Sequence, residues 1–112
     1  MSYDVSLHTT VDTGSPDALN VCVADIGNYT SNVSGMWANA LGHPLGDLHD
    51  RTAGDCIEAL KDAVTVLEAN PARFTEMEPD NGWGTYAGAL DYLRRLRDAC
   101  RVHPKAVIYV SR

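Results

Sequence analysis

Two short polar stretches carry the side chains best suited to chemistry. The first is "GNYTSN", where Asn28, Thr30, Ser31 and Asn32 offer amides and hydroxyls and Tyr29 offers a ring. Such groups read a sugar or a base edge through directional hydrogen bonds. The same residues also suit a turn and a helix N-cap, which Asn, Ser and Thr favour. A cap needs one such residue, however, and this stretch supplies four, with Tyr29 among them. The second is "NGWGTY", with Asn81, Trp83 and Tyr86. Glycines on both sides of Trp83 let backbone approach a ligand closely. An indole there can lie flat on a base, a contact worth about 1–3 kcal/mol. The alternative is a helix start whose tryptophan is tucked into the core.

Charge placement supplies a third feature. Six of the nine basic residues fall in the last nineteen positions, and Arg94, Arg97 and Arg101 recur at helical spacing. That stripe suits a phosphate or an acidic partner. It equally suits a solvated helix C-terminus, where cations complement the dipole. His43, His49 and Asp50 lie close together, but "HPLGDLHD" matches no standard metal-ligand spacing, and His8 and His103 read as isolated. No metal site and no cofactor are expected. The chain carries no G-x-S-x-G, C-x-x-C, H-E-x-x-H or phosphate-loop pattern, and its carboxylates are scattered. Catalytic residues are therefore not expected.

The elements that must hold these residues follow from periodicity. "SYDVSLHT" alternates apolar and polar, the pattern of a half-buried strand. "ALNVCVADI", within residues 18–26, is an apolar run compatible with a strand or a buried helical turn. Val33, Met36, Trp37, Ala40 and Leu41 predict a short helix from about Asn32 to Leu41, stopped by Gly42 and Pro44. "GHPLGDLHD" reads as a loop. Thr52 and Asp55 resemble a capping box ahead of an amphipathic helix bearing Ile57, Leu60, Val64 and Leu67. Asn70 and Pro71 open a further two turns. The last helix runs from about Thr85 to Val102 behind the breaker-rich "EPDNGWG", and "KAVIYVS" reads as a closing strand.

The chain is thus expected to be one α+β domain over residues 1–112. The terminal strands, with a third strand if residues 18–26 are extended, form a small sheet packed against about three helices. With 45% apolar residues and a net charge of −6, a basic surface for DNA, RNA or an anionic membrane is not expected. No apolar run approaches the ~20 residues of a membrane span. The opening residues lack the basic and apolar regions of a signal peptide. Cys22, Cys56 and Cys100, odd in number and set in apolar surroundings, are expected to be reduced, buried thiols of a cytoplasmic protein. Two Asn-x-Ser/Thr triplets, at Asn28 and Asn32, read as chance. So small a domain gains from burial in a homo-oligomer.

The combination "NYTSNVSGMW", "NGWGTYxGALDYLRRLRDAC" and "HPxAxIxVSR" resembles a family of small proteins of bacteriophages and their bacterial hosts. Its members carry N-I/Y-T-x-N-V/L-x-x-M and N-G-W-G-x-Y segments. Here these are Asn28, Tyr29, Thr30, Asn32, Val33 and Met36, then Asn81, Gly82, Trp83, Gly84 and Tyr86, and the likeness runs from Tyr3 to Arg112. Tyr29 stands where Ile is commoner, which bears on ligand choice if that position lines a pocket. The resemblance implies an anti-defence sponge, an oligomer that sequesters a nucleotide immune signal such as a cyclic oligonucleotide or cyclic ADP-ribose. Its ligand-binding set would be Asn28, Tyr29, Thr30, Asn32, Met36, Asn81, Trp83, Tyr86, Arg94 and Arg97. Two other expectations stand beside it. One is a protein that grips a host protein through Trp83 and Tyr86. The other is a small enzyme that degrades such a signal, with His43, His49 or His103 as base.

Overall fold

Alternation at the N-terminus makes the centre of the fold. The computed structural model describes residues 2–112, and within them β1 (Ser2–Val11) is flanked on both sides by antiparallel partners. β2 (Leu19–Thr30) pairs along its whole length, from Ser2↔Thr30 to Val11↔Leu19. β3 (Val107–Ser111) pairs on the other edge, from Asp4↔Ser111 to His8↔Val107. The two ends of the chain therefore meet in one sheet of order β2-β1-β3, and the architecture is α+β.

Residues 18–26 belong to the second strand. Their periodicity is unreadable for a local reason. The register breaks between Val5 and Ser6 and again between Leu7 and His8, leaving Ile26 and Val23 without opposite residues. Each extra residue reverses the in–out phase, so a period-2 pattern cannot persist. The strand also extends further than expected, since Asn28, Tyr29 and Thr30 are its last three residues rather than part of a turn.

Helices cover only one face of the sheet. Tyr3, Val5, Leu7, Ile26 and Ile108 face inward and are buried. Against them lie α1 (Ser34–Leu41), α2 (Ala53–Ala69), α3 (Pro71–Thr75) and α4 (Tyr86–Val102), joined by 3-10 turns at Ser31–Val33 and Leu45–Leu48. The long stripes of α2 and α4 meet through Leu60, Leu67, Leu93 and Leu96, all fully buried. Trp37 is the largest buried side chain. Its ring lies 5.6 Å from Tyr3 and 5.3 Å from Tyr92, and its indole N–H donates to the Ala89 carbonyl at 3.1 Å. The Tyr92 hydroxyl donates to the Gly27 carbonyl at 2.7 Å, tying α4 to the end of β2.

Several local expectations are corrected. Thr52 and Asp55 form no side-chain capping box. Thr52 is strand-like and bridges Val107, and the first amides of α2 donate to the carbonyls of Ala106 and Pro104. Backbone thereby satisfies the donors that a cap would serve. Asn70 does not cap α3; its amide closes α2 by donating to the Val66 carbonyl at 2.8 Å. Cys22 is exposed on β2, whereas Cys56 and Cys100 are buried free thiols as expected. None of the helices among the described residues is long and apolar enough to cross a membrane.

The two sheet edges differ. Residues 49–52 cover β3: Ile108 exchanges hydrogen bonds with Asp50 and Arg51, and the Val110 amide donates to His49 Nδ1 at 2.9 Å. Among the described residues β2 pairs with β1 alone. Beyond Thr9 the β1–β2 hairpin projects as an arm, and every residue from Thr10 to Asn20 is exposed.

Candidate functional site

The end of β2 and the loop before α4 come together, although about fifty residues separate them. Thr30 sits at the N-cap of the first 3-10 turn, where its hydroxyl accepts from the Asn32 amide. Asn32 then reaches across, its side-chain amide donating to the Trp83 carbonyl at 3.4 Å. The Tyr29 hydroxyl accepts from the Thr85 amide at 3.0 Å. Thr85 in turn caps α4, accepting from the Gly88 amide at 3.0 Å.

Glycine makes the approach possible. Gly84 has φ +102°, and a β-carbon there would lie 2.6 Å from Thr30 Cγ2 and 2.7 Å from Val33 Cγ1. A β-carbon on Gly88 would run into the Tyr29 hydroxyl and come within 2.6 Å of its Cζ. Two glycines thus let loop and helix backbone lie directly on the Tyr29–Thr30 segment. Asn81 holds the loop from within, its side-chain oxygen accepting from the Trp83 amide at 2.9 Å.

The result is an open cleft of about 560 Å³ lined by Ser2, Asn28, Tyr29, Thr30, Gly82, Trp83 and Gly84. Trp83 is 69% exposed, so its indole forms a wall rather than part of the core. Asn28 is exposed and its side-chain amide makes no hydrogen bond among the described residues, which leaves donors and an acceptor facing solvent. Among the described residues the lining carries hydroxyls, an amide and aromatic faces, and no ionisable side chain of acid or base beyond the Tyr29 phenol. Its chemistry suits a neutral, flat, hydrogen-bonding group.

The structure divides the ten residues expected to bind. Asn28, Tyr29, Thr30 and Trp83 line the cleft. Asn32 and Asn81 brace its two walls through the hydrogen bonds just described. Met36 is buried in the core. Tyr86 faces away: its hydroxyl donates to the Leu67 carbonyl at 2.5 Å and its ring stacks on Phe74 at 6.5 Å. Arg94 and Arg97 are not part of the lining; they pair with Glu68 at 2.6 Å and Asp98 at 3.0 Å. Helical spacing identified the stripe correctly, yet acidic residues of α2 and α4 occupy it. Tyr29 is also less available than expected, because its ring packs 6.2 Å from Trp37 and 6.1 Å from Tyr92.

The histidines are redistributed as well. His43 and His49 serve local structure, hydrogen-bonding the Pro44 carbonyl and the Val110 amide. Among the described residues no group of three or more His, Cys, Asp or Glu is arranged to hold a metal ion. His8 is not isolated: Ser6, Asn20 and Tyr109 surround it. Sequence reasoning missed that group because strand register, not proximity in sequence, assembles it.

Comparison with protein-family models, curated proteins and solved structures finds no match for this chain.

Proposed function

We propose that the protein is a cytoplasmic binding protein that sequesters a nucleotide-derived signal, of the cyclic oligonucleotide or cyclic ADP-ribose type, without turning that signal over. The observation that carries this reading is the meeting of Asn28, Thr30 and the exposed Trp83 indole in one cleft of about 560 Å³. A base stacked on the indole gains about 1–3 kcal/mol, and the Asn28 amide can pair with a base edge or ribose. The neutral lining favours the nucleoside part of such a ligand over its phosphates. Resemblance to the phage family supplies the biological setting, an anti-defence sponge acting as a homo-oligomer.

A thermal-shift screen against cyclic dinucleotides, cyclic trinucleotides and cyclic ADP-ribose tests the proposal. Ligand at a hundred times its Kd raises stability by about 2.7 kcal/mol, an easily read shift. Heating the complex then returns intact ligand. A blank screen at concentrations that report micromolar binding overturns the nucleotide reading, and degraded ligand overturns the absence of turnover.

One observation favours a second reading, a grip on a host protein. An indole 69% exposed is the kind of side chain that anchors protein interfaces. A stoichiometric host partner that Trp83→Ala releases, together with a blank nucleotide screen, would select it.

A further inference from the structure

The uncovered face of the sheet carries an ordered chain of hydrogen bonds that the nucleotide reading does not use. Ser6 and His8 are two apart on β1, so both point to this face. Ser6 Oγ lies 2.8 Å from His8 Nε2. His8 Nδ1 lies 2.8 Å from Asn20 Oδ1 on β2. The Asn20 amide nitrogen donates to the Tyr109 hydroxyl on β3 at 3.0 Å. With its nitrogen on Tyr109, the asparagine presents its amide oxygen to His8. In the tautomer that carries its proton on Nδ1, the imidazole donates to that oxygen and keeps Nε2 as a base toward the serine hydroxyl. The Tyr109 ring stacks on the imidazole, with centroids 4.2 Å apart and planes 17° apart, and holds its rotamer.

We propose that Ser6, His8 and Asn20 form a serine–histidine–asparagine acyl-transfer site, with Ser6 as nucleophile, His8 as general base and Asn20 as the positioning residue. The roles are those of a nucleophile, a base and a group that orients the base. Ser6 and His8 line a cleft of about 400 Å³ that also contains Asp4, Asp25, Cys22 and Tyr109. Two carboxylates in that lining repel anions, so the substrate class is a small neutral or cationic carboxylic ester. Ser6 Oγ attacks the ester carbonyl carbon while its proton passes to His8 Nε2. The carbon–oxygen bond to the alcohol then breaks, and the leaving alkoxide takes that proton. Water, deprotonated by Nε2, attacks the acyl-serine, releases the carboxylic acid and restores the Ser6 hydroxyl. The site is independent of the Trp83 cleft: Ser2 and Ser6 are four residues apart on β1, about 13 Å.

The test uses the intact protein with two probes, p-nitrophenyl acetate and a neutral fluorophosphonate, followed by peptide mapping. The adduct is expected on Ser6. His8→Ala is expected to lower its rate of formation about 100-fold or more, at the low end of what a general base contributes. Asn20→Ala lowers the rate as well, and Asn20→Asp restores it, while the thermal midpoints of all three variants stay near that of the parent. Cys22 lies directly across from His8, as its register partner. Adducts confined to Cys22, adducts spread evenly over exposed serines, or Ser6 labelling that His8→Ala leaves unchanged would each overturn the proposal.

Discussion

Gly82 and Gly84 flank the same tryptophan and both have positive φ, of +75° and +102°. An alanine at either costs about 1–2 kcal/mol of backbone strain, partly offset by a stiffer unfolded chain. There the likeness ends. Nothing lies within 4 Å of a β-carbon at Gly82, whereas one at Gly84 meets Thr30 and Val33 at 2.6 and 2.7 Å. Val33 is fully buried and has no room to retreat. Overpacking of that kind adds about 1–3 kcal/mol. Gly82→Ala is therefore expected to cost about 1 kcal/mol and Gly84→Ala about 2–4 kcal/mol. At ~4 °C per kcal/mol for a domain of this size, their midpoints fall by about 4 °C and about 8–16 °C. Thermal melts followed by circular dichroism, with urea titrations to obtain the free energies, read both values. Equal costs at the two positions would refute the close approach between the loop and the end of β2, and with it the geometry of the cleft.

Three further outcomes are expected. Trp83→Ala removes about a third of a tryptophan's burial and costs about 1–2 kcal/mol, whereas Trp37→Ala empties the core and costs about 3–5 kcal/mol; urea unfolding separates them. Above about pH 9 the fold weakens from two buried acids: burial pushes the Tyr92 phenol up to about 12 and the Cys100 thiol up to about 12. The unfolded chain ionises these groups near 10 and 9. Their stabilisation is thus complete below about pH 9 and is lost as pH rises toward 12. Tyr92 accounts for about 3 kcal/mol of it, and Tyr92→Phe should flatten the fall in midpoint between pH 10 and 12. Finally, a thiol reagent at pH 8 should modify Cys22 in the folded protein and reach Cys56 and Cys100 only in denaturant, since burial raises both of their pKa values. Modification of all three at one rate would contradict the packing.

What could be read from sequence was local. Alternation in β1, the helical stripes of α2 and α4 and the β-branched C-terminal strand all have signals within a few residues. The bulges in β2 erase such a signal, so its conformation was open until pairing with β1 decided it. The Trp83 stretch advertised itself through its glycines, yet the reason for Gly84 lies in Thr30 and Val33, more than fifty positions away. Met36 and Tyr86 illustrate the converse. Their side chains suit a pocket, but α1 turns one into the core, and the Leu67 carbonyl and the Phe74 ring hold the other against α3. The Ser6–His8–Asn20–Tyr109 chain depends on register across three strands, which no spacing within one segment encodes.

The projecting arm has a practical corollary. Its tip, from Asp12 to Ala18, is polar and turns about Gly14, whose amide donates to Asp12 at 2.9 Å. Ser2 and Thr30 lie at the opposite ends of the same strands, nine residues of β-structure or about 30 Å away. A fluorophore, an affinity peptide or a surface tether grafted between Thr13 and Asp17 would hang clear of both clefts, giving a handle by which the molecule can be immobilised with its ligand-facing end presented outward.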